Sequence, residues 1–180
     1  MTKDIMGEGK INEIEVGQAA PDFVARDLSG KEVRLSDLIA GSKALLVFYR
    51  GGWCPFCNQQ LAAITADYPK FKALGAIVVF VSGEEVENGR DLLQRLRLPF
   101  ILLSDTSFKS IDLYGVRYTE VPEALKAKGI FQLPKPSAFV IDSKGIVRHR
   151  YVGKNASDRP KNGDLLGAIQ DADKPMAGRA

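Results

Sequence analysis

The chain has 180 residues, 45% hydrophobic and 26% charged, a length and balance that suit one compact domain and argue against general disorder. Its 25 basic and 22 acidic residues leave a net charge of +3. With no dense Lys/Arg stripe beside that charge, neither nucleic acid nor a membrane surface is expected as a partner. Two cysteines and one histidine exclude a multi-disulfide scaffold and a four-ligand zinc site made of Cys and His alone. No run of 18 apolar residues exists to span a bilayer, and Met1–Ile14 lack the apolar stretch of a secretory signal, so the expected compartment is cytoplasmic.

Residues 1–16 read as an N-terminal arm. The ordered domain is expected over 17–172, with 173–180 as a frayed tail. It opens with two short extended pieces, Asp22–Asp27 and Glu32–Leu35, around the turn signal Asp27-Leu28-Ser29-Gly30-Lys31. Ser36 then reads as the N-cap of a helical turn ending at Ile39. The apolar run Ala44–Tyr49 suits a strand buried on both faces. After Cys57, the residues Leu61, Ile64, Tyr68, Phe71 and Leu74 recur at helical spacing, and Gly75 stops that helix. Ile77–Val81 is a second buried strand, Glu84–Arg97 a second amphipathic helix and Phe100–Leu103 a third strand. A short helix over Thr106–Tyr114 precedes a surface insertion at 116–133. Ala138–Asp142 and Ile146–Val152 flank a hairpin turn signal, and Leu165, Leu166 and Ile169 mark a last helix. This alternation predicts an α/β protein whose central mixed sheet is covered by helices on both faces.

The chemistry concentrates in Trp53-Cys54-Pro55-Phe56-Cys57. Lying between a buried strand and an amphipathic helix, the motif puts at least one thiol in a helix's first turn, where free N–H groups and the positive dipole end favour thiolate. That thiolate is expected to be open to solvent. Pro55 fits the helix start, where its missing N–H costs little. The spacing lets one sulfur attack a substrate and the other close an internal disulfide. Arg50, just upstream, adds positive charge, and Trp53 is expected to cover the thiol pocket. The pair closes too short a loop to be a useful structural disulfide. Pro136, before the strand at Ala138, reads from local sequence as a trans turn residue, with a cis proline facing the thiols as the functional alternative. His149 alternates with Val147 and Tyr151 and is expected on the outer, solvated face of its strand. Arg148, Arg150, Lys154 and Arg159 read as a solvated basic face.

Taken together, these blocks resemble the peroxiredoxin-like AhpC/TSA class of the thioredoxin-fold superfamily, with a Cys-Pro-x-Cys site. The resemblance covers about residues 17–153 and rests on Gly17–Phe23, Leu35–Leu38, Phe48–Cys57, Leu103–Asp105, Tyr114–Val116 and Pro136–Asp142. It implies a thioredoxin-like fold with an N-terminal β-hairpin, a central strand at Ala44–Tyr49, and Pro136 beside the thiols. Against the class pattern, Arg50 stands at the usual Pro position, Cys54 at the Thr position and Cys57 at the peroxidatic Cys. Pro136 replaces an Arg. Thioredoxin logic therefore names Cys54 as nucleophile and peroxiredoxin logic names Cys57. The implied function is a thiol-dependent peroxidase acting on hydrogen peroxide or organic hydroperoxides and reset by a thioredoxin-like donor, with no cofactor and no resident metal. Relatives of this kind often dimerise, so a homodimer is among the assemblies the resemblance allows. Two alternatives remain: a thioredoxin-like protein disulfide reductase, and a Cu(I) chaperone using Cys54, Cys57 and His149, since soft thiolates suit Cu(I).

Overall fold

A computed structural model describes residues 13–176. Most of the expected N-terminal arm (1–12) and the last residues of the expected tail (177–180) lie outside them. The described part of that tail is tied down: the Asp173 carboxylate accepts from the Ser143 N–H (3.1 Å) and hydroxyl (2.8 Å).

The elements run β1 (Val24–Arg26), β2 (Glu32–Arg34), α1 (Leu35–Ile39), β3 (Lys43–Phe48), α2 (Pro55–Ala73), β4 (Ala76–Ser82), α3 (Val86–Leu96), β5 (Ile101–Ser104), α4 (Lys109–Leu113), α5 (Glu123–Lys126), β6 (Ser137–Ile141), β7 (Val147–Val152) and α6 (Asn162–Asp171). Seven strands form one sheet in the order β2-β1-β5-β4-β3-β6-β7. Its centre, β3-β4-β5, is parallel. The hairpin β1-β2 adds antiparallel to β5, and β6-β7 adds antiparallel to β3. The mixed α/β sheet with an N-terminal hairpin is thus as the sequence predicts.

Strand β3 shows why the core is two-sided. Leu45, Val47 and Tyr49 point into one apolar cluster, with α2, α3 and α6 packed over it. Ala44, Leu46 and Phe48 point into the other, under α1 and α4. A strand with both faces covered must be apolar at every buried position, and β3 is from Ala44 to Phe48. Because β3 is central and parallel to β4, its C-terminal end opens where a helix N-terminus follows. That end carries the residues from Tyr49 to Cys57.

Three local expectations are corrected. Ser36 does not cap α1: its N–H (3.0 Å) and hydroxyl (2.9 Å) are both taken by Asp22, which ties the hairpin to the start of α1 instead. The 116–133 segment is not simply a surface insertion. Val116 and Leu133 are buried, and the segment is closed at its base by Tyr118 N–H on the Leu133 carbonyl (3.1 Å) and Lys135 N–H on Val116 (2.6 Å). His149 is not on a solvated face. A bulge at Val140/Ile141 shifts the register of β7, so Val147 faces one core cluster and Tyr151 the other. His149 falls after the bulge, half-buried, with Nε2 buried and unpartnered. Burial lowers its pKa against the pull of Asp164 on α6. Among the described residues, no helix is long and apolar enough to cross a membrane.

Candidate active site

The site is built from the turn after β3 and the first turn of α2. The Cys54 backbone is extended (φ −85°, ψ 117°) and Pro55 occupies the first helical position, so Cys54 is the N-cap and Cys57 sits at the third position of the helix. The helix's first i to i+4 bond runs from Asn58 N–H to the Cys54 carbonyl at 3.1 Å. Both sulfurs therefore stand at the positive end of a 19-residue helix. They are free thiols.

The turn itself is held from outside. Gly52 N–H donates to the Glu84 carboxylate at 2.8 Å. Asn58 Nδ2 and Arg95 both donate to the Gly52 carbonyl, at 3.1 and 3.2 Å. A Cβ at Gly51 would lie 2.3 Å from Trp53 Nε1 and 2.8 Å from the Glu84 carboxyl, so glycine is the residue that lets these groups close over the backbone. Partial burial holds the Glu84 carboxyl above the usual carboxylate range, opposed by its bonds from Gly52 and Asn88.

Each sulfur has its own arginine. Arg50 Nη1 donates to Cys54 Sγ at 3.6 Å, and the Arg50 guanidinium lies 5.1 Å from the centre of the Trp53 indole. Arg159 Nη2 donates to Cys57 Sγ at 3.2 Å, while its Nη1 donates to Gln60 Oε1 at 2.6 Å. The sequence places Arg159 on a solvated basic face. It is instead partly buried against the site, in the segment between β7 and α6. Gln60, one turn beyond Cys57 on α2, and Glu84 are site residues that the sequence does not single out.

The two thiols titrate as a pair. The Cys57 thiol hydrogen-bonds toward Cys54, and this, together with the Cys57 N–H and Arg50, pushes Cys54 down to about 5 against the cost of burial. Giving that hydrogen bond and being buried raise Cys57, which Arg159 partly opposes. These influences favour ionisation of Cys54 over that of Cys57. Cys54 is also the residue at the N-cap of α2, a position that favours thiolate.

Neither sulfur is open to solvent: Cys54 and Cys57 have 0% accessible surface. The expectation of an exposed thiolate is corrected by what covers it. Arg50 donates to Cys54, and Trp53, 37% exposed, lies against the Arg50 guanidinium. Beyond these two residues is a groove of about 410 Å³, lined also by Glu84, Phe108, Phe131 and Pro134. The 116–133 segment thus supplies one wall beside the site. Arg50 Nε is buried without a partner.

Pro136 immediately precedes β6, whose Ser137 pairs with Phe48 at the same end of β3. Every peptide bond among the described residues is trans, so a cis proline does not face the thiols. Pro136 is tied to the Arg159 segment: its carbonyl accepts from Gly153 N–H at 2.7 Å. A Cβ at Gly153 would meet that carbonyl at 3.0 Å and the Asp158 carbonyl at 2.4 Å. His149 does not join the cysteines. Among the described residues, no three His, Cys, Asp or Glu side chains converge as a metal site, which removes the geometric basis for the Cu(I) reading.

A seven-stranded thioredoxin-like sheet with a paired thiol at the leading end of a helix defines the class. Residues 16–150 match the AhpC/TSA family, and the chain belongs to that family. It is 33% identical over 165 residues to "Peroxiredoxin Q, chloroplastic" of Triticum aestivum, covering 91% of this chain and 69% of that one. The rice protein of the same name (Oryza sativa subsp. japonica) is 33% identical over 143 residues. This chain spans about 60% of the rice relative's length. "Thiol-disulfide oxidoreductase ResA" of Bacillus anthracis is 26% identical over 82% of this chain and 75% of its own. Among solved structures, peroxidoxin BcpB from Mycobacterium tuberculosis superposes with a TM-score of 0.75 at 22% identity, covering 91% of this chain and 100% of that one.

Proposed function

We propose that this chain is a thiol peroxidase in which Cys54 attacks a hydroperoxide and Cys57 resolves the product. The observation that carries the reading is Cys54 at the N-cap of α2, with its sulfur in contact with Arg50 at 3.6 Å. The Cys54 thiolate attacks the terminal peroxide oxygen, the O–O bond breaks, and the departing oxygen leaves with a proton as water or alcohol. Cys54 is then a sulfenic acid. Cys57, three residues on in the same turn, displaces its hydroxyl to close a disulfide. A thioredoxin-like dithiol donor returns the pair to the reduced form by exchange. Arg50 both lines the groove and donates to Cys54, so in this reading an entering substrate meets it before the sulfur. No cofactor enters the scheme. A reducing compartment such as the cytoplasm suits a pair that works from the dithiol state.

Burial supports a small substrate. A peroxide can slip past Arg50 to a sulfur with no accessible surface, whereas a protein disulfide must bring its own sulfur within bonding distance. The second reading, a protein disulfide reductase, is favoured by the Trp-Cys-Pro-Phe-Cys turn and by the acidic first thiol. The two are separated by one pair of assays. Consumption of hydrogen peroxide and cumene hydroperoxide with a thioredoxin system is expected, lost in the Cys54→Ser/Cys57→Ser double variant. Insulin reduction without peroxide turnover gives the second reading, and turnover equal to the double variant in both assays overturns both.

A further inference from the structure

We propose that Arg159 is a catalytic residue of the resolving step, holding the Cys57 sulfur as the anion that closes the disulfide once Cys54 has been oxidised. The inference rests on the peroxidase reading and adds a role that reading does not need.

The guanidinium is fixed at several points. One nitrogen is on Gln60, Nη2 is shared between Cys57 Sγ and the Ala156 carbonyl (3.1 Å), and Nε also reaches Ala156 O at 3.2 Å. A long side chain anchored this way has little freedom left to lose when a charge develops beside it. Its neighbour Asp158 does not take the guanidinium as a salt-bridge partner; its carboxylate is occupied by the Tyr151 hydroxyl and by Lys154 N–H. The charged and titratable groups facing Cys57 are then few. They are Cys54 from the preceding turn, Tyr49 at the end of β3, and Arg159 from the segment after β7. Gln60 adds a neutral amide from α2.

In the dithiol the hydrogen bond given by Cys57 favours the anion on Cys54, and two adjacent sulfurs cannot both ionise cheaply. Oxidation changes this. When Cys54 becomes S–OH, its negative charge is gone, and the group that disfavoured a Cys57 thiolate is gone with it. Arg159 stays. The same arginine that is outweighed in the dithiol becomes the dominant neighbour in the sulfenic acid state. Cys57 then yields its proton, its sulfur attacks Cys54, the S–O bond breaks as the S–S bond forms, and the hydroxyl leaves with that proton as water. The two electrons delivered to the peroxide have come from the pair of sulfurs, and no further oxidant is required. One arginine serves each half of the cycle.

The test titrates Cys57 without any peroxide. In Cys54→Ser, which removes the competing thiolate, iodoacetamide labelling of Cys57 against pH is expected to show a midpoint below that of an ordinary thiol. Adding Arg159→Gln is expected to raise that midpoint by about one unit or more, roughly a ten-fold loss of thiolate at fixed pH. Arg159→Lys, which keeps the charge, recovers part of it. In the otherwise native chain, Arg159→Gln is expected to accumulate dimedone-reactive Cys54 after one equivalent of peroxide, where the unaltered protein proceeds to disulfide. Circular dichroism and a melting curve on each variant confirm that the fold is kept. An unchanged Cys57 midpoint between Cys54→Ser and Cys54→Ser/Arg159→Gln overturns the assignment of Arg159 alone. Absence of any sulfenic acid on Cys54, even in Cys57→Ser, overturns the peroxidase reading and the resolving step with it.

Discussion

The acidity of Cys54 should be traceable to named groups, in a stated order. The first is the hydrogen bond from the Cys57 thiol, and the Cys57 N–H and Arg50 follow. A hydrogen bond to a charged acceptor contributes about 1.5–3 kcal/mol, or roughly one to two pH units. An opposite charge within hydrogen-bonding range contributes about one to three. Arg50 borders an open groove, so the low end applies to it, about one unit. Labelling of Cys54 by iodoacetamide, followed by mass spectrometry across pH 4–10, should give a midpoint at about 5 in the unaltered chain. Cys57→Ala should move it up by more than Arg50→Gln does, and Cys57→Ser, which keeps a donor, by less than Cys57→Ala. A midpoint in the ordinary thiol range in the unaltered chain, or one that neither substitution moves, would refute the reasoning. The arithmetic also separates two roles for Arg50. With a midpoint moved from about 5 to about 6, Cys54 is still about nine-tenths thiolate at pH 7, and a more basic thiolate is a somewhat better nucleophile. Acidity alone then predicts no loss of peroxide rate at pH 7. A ten-fold fall in kcat/KM in Arg50→Gln at that pH would assign Arg50 to the departing oxygen as well.

The same shift makes a stability prediction. A thiol held down in the folded state and normal in the unfolded state leaves the unfolded chain binding more protons between the two pKa values, so stability rises with pH there. The melting temperature of the unaltered chain relative to Cys54→Ser should therefore increase from about pH 5 towards pH 9 and be smallest below pH 5, which thermal denaturation at several pH values checks. Gly51→Ala should cost about 1–3 kcal/mol in urea unfolding, because the added methyl displaces Trp53 and the Glu84 carboxylate from the turn. Asp142→Ala should cost about 3–5 kcal/mol by the same measure. The Asp142 carboxylate is 1% exposed, holds Arg148 at 2.5 Å and caps the β6-β7 turn at Lys144 N–H and Ile146 N–H.

What was legible in the sequence follows the range of the interaction that determines it. The strands β3 and β4 and the helix α2 were read to within a residue or two, because burial on two faces or on one stripe imposes a pattern that a short window contains. The Cys54–Pro55–Cys57 turn was legible for the same reason. Alternation misplaces His149 because it assumes an unbroken strand, and the bulge opposite Val140/Ile141 reverses the phase between Val147 and His149, at the start of β7. Ser36 was misread because a nearby cap and a more distant carboxylate compete for one hydroxyl, and only the folded hairpin brings Asp22 to it. Arg159 could not be found by any local rule. It lies 102 residues from Cys57, in a polar segment whose composition is that of solvated surface. Only the pairing of β6 with β3, and of β7 with β6, carries that segment back to the mouth of α2.

These long-range contacts bear on why a reactive sulfur would be buried here at all. An exposed thiolate of low pKa reacts with any electrophile that reaches it, and exposure and thiolate character together set its susceptibility to overoxidation. On the proposed reading, the charge and the access at this site are controlled by the same residue. Arg50 stabilises the Cys54 anion and also stands between it and the groove, so an incoming molecule must replace what Arg50 supplies in order to displace it. A peroxide brings oxygens that can accept from that guanidinium while the sulfur attacks, whereas an apolar electrophile offers it nothing. Selection for peroxide would then come from the gate as much as from the thiolate. Arg50→Lys, which keeps the charge but not the planar donor array, should leave the Cys54 midpoint within about one unit while narrowing the ratio of peroxide to iodoacetamide reactivity. A variant in which both reactivities fall together, with their ratio unchanged, would show that Arg50 sets acidity and does not gate.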